Sequence, residues 1–171
     1  PNNQSPTLRN QPLLKSGKAG FLQKSNFIKG ESIQTMQNLR CWAEIDLAAL
    51  ERNLHRIRAA LPPGIKYISV VKADAYGHGI HPSAARLMQT GVDLFAVANV
   101  KEAMDIREMG TGWPILILGP LLKEEDQSIL EYNLIPSLSN REELKRFKEL
   151  SSTKWAPIPI HLKIDTGMGR M

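Results

Sequence analysis

Tyr67-Ile68-Ser69-Val70-Val71 (residues 67–71) is the stretch that sets the fold. It is β-branched and too apolar to lie half exposed, which predicts a strand buried on both faces, as in parallel sheets. The next element is a helix, with Pro82 near its first turn and Gly91 just past its end. The alternation continues downstream. Residues 94–98 read as a strand, 100–109 as a helix stopped by Gly110, 115–118 as a strand and 123–132 as its helix. Residues 134–138 form the next strand, weakened by Pro136. Ser139 and Glu142 have capping-box spacing for a helix to about residue 150, and residues 158–165 read as a fifth strand. Upstream, residues 41–45 suit a short strand. Asp46 stands where an N-cap belongs, ahead of an amphipathic helix with Leu47, Leu50, Leu54, Ile57 and Leu61 on one face, closed by Pro62, Pro63 and Gly64. Strand and helix alternating about every 20 to 25 residues mark parallel βα units. An open doubly wound sheet and a closed barrel share that pattern, and periodicity alone does not separate them.

The chain has 171 residues and a net charge of +5. The excess is local: residues 1–40 hold six basic residues against the single acid Glu31, and the remainder holds sixteen of each sign. The folded part therefore offers no case for nucleic acid binding. One cysteine, Cys41, excludes an intramolecular disulfide and fits a reducing cytoplasm. No apolar run approaches the roughly 20 residues of a membrane span, so no membrane partner is expected. Residues 1–38 are polar and aperiodic and read as a disordered or non-native N-terminal extension ahead of a domain over 39–171. Met36 suits a natural start better than the upstream residues suit a transit peptide. A first residue Pro1 and a last residue Met171 suggest a cut fragment.

In parallel βα folds, functional side chains collect at the C-terminal ends of strands. Two such ends are unusual. The first is Val71-Lys72-Ala73-Asp74-Ala75-Tyr76-Gly77-His78-Gly79 and the second is Leu162-Lys163-Ile164-Asp165-Thr166-Gly167-Met168-Gly169-Arg170. An ammonium at the end of a buried strand would be partly desolvated, which favours the neutral, nucleophilic amine able to form a Schiff base with a carbonyl. By itself Lys72 reads better as a lysine snorkelling to the strand rim. Gly77, Gly79, Gly167 and Gly169 suit turns, and neither run has dinucleotide or P-loop spacing. His78 and His81 are joined by no acidic or cysteine cluster, so no metal site is expected.

Both segments resemble the alanine racemase family, whose cofactor motif usually reads Val-Lys-Ala-Asn-Ala-Tyr-Gly-His-Gly and whose later strand ends Leu-Lys-x-Asp-Thr-Gly-Met-Gly-Arg. The resemblance runs from about Trp42, through Trp42-Ala43-Glu44-Ile45-Asp46-Leu47, to Met171. It implies the α/β class in the form of a partial (β/α)8 TIM-type barrel with about five of eight parallel strands, since a whole barrel needs about 250 residues. It also implies a pyridoxal 5'-phosphate cofactor held by Lys72, which then serves as a general base on one face of the substrate α-carbon. Tyr76 would contact the cofactor phosphate and Leu118 would pack near the ring, although a buried leucine there needs no function. Arg170 would reach the cofactor phenolic oxygen and the substrate carboxylate, a task suited to a charged, forked guanidinium. Lys163 matches a lysine that is carbamylated in many members. Asp74 departs from the family asparagine, and a carboxylate turned toward Lys72 would favour the charged ammonium.

The implied activity of the full-length protein is interconversion of L-alanine and D-alanine, supplying D-alanine for peptidoglycan. The family's second base is a tyrosine from the C-terminal domain of a partner subunit, which makes the enzyme a homodimer and this fragment inactive alone. Two rivals use the same barrel: a non-catalytic pyridoxal phosphate carrier and a related amino-acid decarboxylase.

Overall fold

The computed structural model describes residues 20–23, 42–154 and 156–169. The strands are β1 (Gly20–Gln23), β2 (Trp42–Ile45), β3 (Ile68–Val70), β4 (Leu94–Val97), β5 (Ile115–Ile117), β6 (Ile135–Leu138) and β7 (His161–Leu162). The helices are α1 (Leu47–Ala60), α2 (Lys72–Gly77), α3 (Ile80–Thr90), α4 (Val100–Met109), α5 (Asp126–Glu131) and α6 (Arg141–Lys154), with a 3-10 turn at Lys123–Glu125 before α5.

Strands β3 to β7 form one parallel sheet in sequential order, and β1 pairs in parallel with β2 in a separate two-stranded sheet. That order separates the two architectures that periodicity does not. A doubly wound sheet reverses its strand order and carries helices on both faces, whereas a barrel wall adds each strand beside the last with helices on one side. Here Val71, Phe95, Val97, Ile115, Ile117 and Leu138 share one core with Leu54, Ala84, Leu87, Ala103, Ile106, Ile129 and Phe147 from the helices. The helices therefore cover a single face, and the five strands are an arc of a TIM-type barrel.

The expectation that β3 is buried on both faces needs correction. Burial alternates along it: Ser69 is buried toward the helices, while Ile68 and Val70 are 38% and 40% exposed. As an edge strand, β3 has a neighbour on one side only, and its inner face is uncovered. The central strands β4 and β5 do show the two-sided burial expected of a parallel sheet. β7 is the opposite edge and is correspondingly short. Ladder pairing covers His161 and Leu162 alone, plus the Lys163 N–H to Leu138 O bond at 2.8 Å, where residues 158–165 were expected. Pro136 is accommodated inside β6, fully buried, in a strand limited to two residue pairs with each neighbour. The extension read as disordered contains strand β1 at Gly20–Gln23, a short β-competent run. The rest of residues 1–38, Met36 included, lies outside the described residues, as does Cys41.

Helix starts carry the fold's local logic. Asp46 caps α1 by accepting from the N–H groups of Ala48 (2.9 Å) and Ala49 (3.0 Å). The cap of α6 is shifted by one from the predicted box: Asn140 Oδ1 accepts from the N–H of Glu143 at 2.8 Å, and Glu143 reaches back to the N–H of Ser139 at 2.7 Å. The hydrogen bond from Ala49, aided by that from Arg52, holds the Asp46 carboxyl below its ordinary 3.8. A group whose folded value is lowered stabilises above the unfolded value and loses that contribution as pH falls through the folded one. Asp46→Asn keeps an acceptor at the cap. Lacking the charge, it is expected to be slightly less stable than the parent at pH 7 and to flatten the loss of stability below pH 3.8, measured by urea midpoints across the acid range.

Candidate active site

The site is built from the C-terminal rim of the sheet. Lys72, Leu118 and Lys163 each come just after a strand, β3, β5 and β7, so parallel pairing puts all three on one edge. Neighbouring strands lie about 4.8 Å apart, which sets Lys72 and Leu118 roughly 10 Å from each other and Lys163 two strands further along the arc. Lys72 and Leu118 are half-buried; Lys163 is exposed. Arg170 lies outside the described residues. Among the described residues no carboxylate pairs with the Lys72 ammonium and no hydrogen bond fixes it. A lysine end held by no carboxylate there can be reached by a carbonyl group at the rim.

The backbone after Lys72 departs from anything its residue types predict. α2 is a left-handed turn: Ala73, Asp74, Ala75 and Tyr76 all have φ between 53° and 55°. Each costs roughly 1–2 kcal/mol for a non-glycine residue, so the surroundings must hold the turn. They do so at Ala73, Asp74 and Ala75. The Ala73 N–H donates to Glu102 Oε1 (2.8 Å) and that of Ala75 to Val71 O (2.9 Å). The His78 N–H also bonds Ala75 O at 3.1 Å, and its Nδ1 lies 2.8 Å from the same oxygen. The His78 ring thus serves the turn. Among the described residues no group of three His, Cys, Asp or Glu side chains is arranged to hold a metal ion.

Asp74 turns away from the lysine. Its Oδ1 accepts from the N–H of Ile80 at 2.6 Å and its backbone oxygen from Gly79 at 2.9 Å, so it closes the entry to α3. An asparagine oxygen can make the same bond, which is why aspartate substitutes here without crowding the amine. Tyr76 ends the turn 60% exposed at the rim. A cavity of about 430 Å³ lies beside it, between α1, β3 and the turn; Lys72 is absent from its lining.

Three further residues shape the rim. Asp165 accepts from the N–H groups of Gly167 (2.9 Å) and Gly169 (3.0 and 3.1 Å), which lowers its carboxyl below the usual value, with the Lys163 charge adding to the effect. The Asp-x-Gly spacing signals this local turn. Glu102 bonds both Ala73 and Ala98. Gly119 lies against β4: a Cβ there would sit 2.3 Å from Ala98 O. Because that atom is backbone, Gly119→Ala must displace the end of β5 and with it Leu118. A loss of about 2 kcal/mol, typical of overpacking, is expected in denaturant unfolding.

The sequence pattern of the family described as "Alanine racemase, N-terminal domain" matches residues 45–171. The alanine racemases of Halothermothrix orenii and Synechocystis sp. are 39% identical over 130 residues and 40% identical over 133, covering 76% and 77% of this chain. The chain spans about a third of their length, 34% and 36%. Among solved structures, alanine racemase of Clostridium difficile 630 superposes with a TM-score of 0.73 at 34% identity, over 78% of this chain and 37% of that one. Alanine racemase of Bartonella henselae, solved with covalently bound pyridoxal phosphate, gives 0.68 at 28% identity over 74% of this chain and 35% of that one. With sequence pattern, relatives and barrel arc in agreement, the chain belongs to the alanine racemase N-terminal domain family.

Proposed function

We propose that residues 39–171 are the leading part of the cofactor-binding barrel of a pyridoxal phosphate-dependent alanine racemase, with residues 1–38 an extension outside it. The single observation that carries this reading is the Lys72 amine at the strand rim, unpaired among the described residues, on a left-handed turn tied at Ala73, Asp74 and Ala75. Strain kept at such a place is characteristic of functional sites. The donor set suits the cofactor: an amine for its aldehyde, the exposed Tyr76 phenol for its phosphate and the half-buried Leu118 for its ring.

Bound pyridoxal phosphate supplies an electron sink for a carbanion at the substrate α-carbon. Lys72 holds the cofactor and then takes or returns the α-proton at Nζ on one face. Arg170 grips the substrate carboxylate and orients the α-carbon over that amine. Lys163, if carbamylated, presents an anion to Arg170. The second base belongs to the part of the full-length protein outside this chain and comes from the partner subunit of a homodimer. The 171-residue chain is therefore expected to be inactive alone. The product D-alanine would serve peptidoglycan precursor synthesis, which goes with a cytoplasmic location. Among the described residues no helix is long and apolar enough to cross a membrane.

The test is to add pyridoxal phosphate to the full-length protein, reduce with borohydride, and locate the pyridoxyl group by peptide mass. Modification at Lys72 together with conversion of L-alanine to D-alanine supports the reading. A label on another lysine, with Lys72 unmodified, defeats it.

A further inference from the structure

The fold uses one helix-start device twice, and the two copies differ in a way that singles out Glu102. At α4, Asn99 Oδ1 accepts from the N–H of Glu102 at 3.0 Å and Glu102 Oε2 accepts from the N–H of Ala98 at 2.8 Å. At α6 the same bonds join Asn140, Glu143 and Ser139. Among the described residues the hydrogen bonds of Glu143 stay within its own junction; besides the Ser139 N–H its carboxylate takes the Ser139 hydroxyl, at 3.3 Å. Glu102 instead crosses to the neighbouring junction, where its Oε1 accepts from the N–H of Ala73 at 2.8 Å.

That second bond is unnecessary for capping, which one oxygen completes. Its partner is the residue directly after Lys72, and the peptide plane that carries the Ala73 N–H also carries the Lys72 carbonyl. The run of positive φ begins at Ala73, so this peptide plane is where the left-handed turn starts. Fixing that plane fixes ψ of Lys72 and so the frame from which its side chain leaves the rim. We propose that Glu102 is a positioning residue for Lys72, one carboxylate clamping the end of β4 and the start of the left-handed turn together. The inference rests on Lys72 being the cofactor lysine.

Glutamine is the informative replacement. It has a single acceptor oxygen, so it can satisfy Ala98 or Ala73 but must set an amide donor against the other N–H. The Asn99 cap, made through the backbone of residue 102, survives. In the full-length protein, Glu102→Gln is expected to weaken capture of pyridoxal phosphate, read by visible absorbance, by about 10-fold to 100-fold, the scale of a misplaced reacting group. Glu143→Gln makes the same charge change at the equivalent cap, where the one oxygen that glutamine keeps is enough, and does not reach Lys72, so it is expected to capture the cofactor as the parent does, whatever its thermal midpoint. Parent-like capture by Glu102→Gln, or an equal loss in Glu143→Gln, overturns the proposal. If Glu102→Gln does not fold, Glu102→Asp, one methylene too short to span both N–H groups, is read with the same two outcomes. Lys72→Ala separates the layers: if it captures the cofactor normally, the cofactor reading itself is wrong, and if it fails while Glu102→Gln is parent-like, only the role of Glu102 is lost.

Discussion

Lys72→Arg in the full-length protein is expected to reduce racemisation of L-alanine by about 1,000-fold or more, with the fold intact. The substitution keeps a positive charge of similar length at the end of β3, where the native ammonium has no ion-pair partner among the described residues. It therefore spares electrostatics and packing and removes one property. A guanidinium does not give up its proton in a protein, so it can neither attack a carbonyl nor accept the α-proton. General-base catalysis alone is worth about 100-fold to 10,000-fold, and loss of the covalent anchor adds to it. Lys72→Ala should be as inactive, but an added small amine such as methylamine can enter the vacated space and restore part of the turnover. Rescue of the alanine variant without rescue of the arginine variant would identify a missing amine rather than a damaged rim. Turnover by Lys72→Arg within 10-fold of the parent would contradict the assigned role, since no route through an arginine side chain reaches that rate.

The position of Lys72 was legible because it depends on periodicity and punctuation: an apolar β-branched run that stops, then Gly77 and Gly79. The conformation between them was hidden. Alanine and tyrosine have no preference for left-handed backbone, and the run of four is held by specific bonds that residue type does not announce, the one from Ala73 reaching Glu102, 29 positions away. The direction of Asp74 was hidden for the same reason, since it is set by the N–H of Ile80 across the turn. Edge effects explain the misjudged strands. Composition makes residues 67–71 look buried on both faces, and only the strand order shows that β3 has one neighbour. Glu102 and Glu143 stand in identical Asn-x-x-Glu contexts, so a sequence cannot reveal which of them also reaches a second loop.

Arg107 offers the largest separable effect on stability, at the opposite rim from Lys72. It lies on α4, half-buried, and its guanidinium donates to four backbone carbonyls: Tyr132 (2.9 Å) and Asn133 (3.2 Å) after α5, Thr111 and Trp113 (both 2.9 Å) after α4. These two loops lead into β6 and β5, so one side chain ties the approaches to two adjacent strands. Burial lowers its basicity, yet an arginine stays charged across any ordinary pH. In Arg107→Met the carbonyls of Thr111 and Asn133, which are exposed, recover water. Those of Tyr132 and Trp113 are part-buried and recover less. At about 1.5 kcal/mol for each charge-assisted bond, the expected loss is about 3 kcal/mol, read as a lower urea midpoint with unchanged slope and no dependence on pH between about 5 and 9. Arg107→Lys should recover little, because an ammonium has no planar fork to reach both loops at once. Pyridoxal phosphate capture by the fraction that remains folded should equal the parent's, since the strands run between Arg107 and the reactive rim and only their entry ends have been loosened. A variant that lost capture while keeping its midpoint would mean the two rims are coupled through β5 and β6, and that the arc is less rigid than its buried central strands imply.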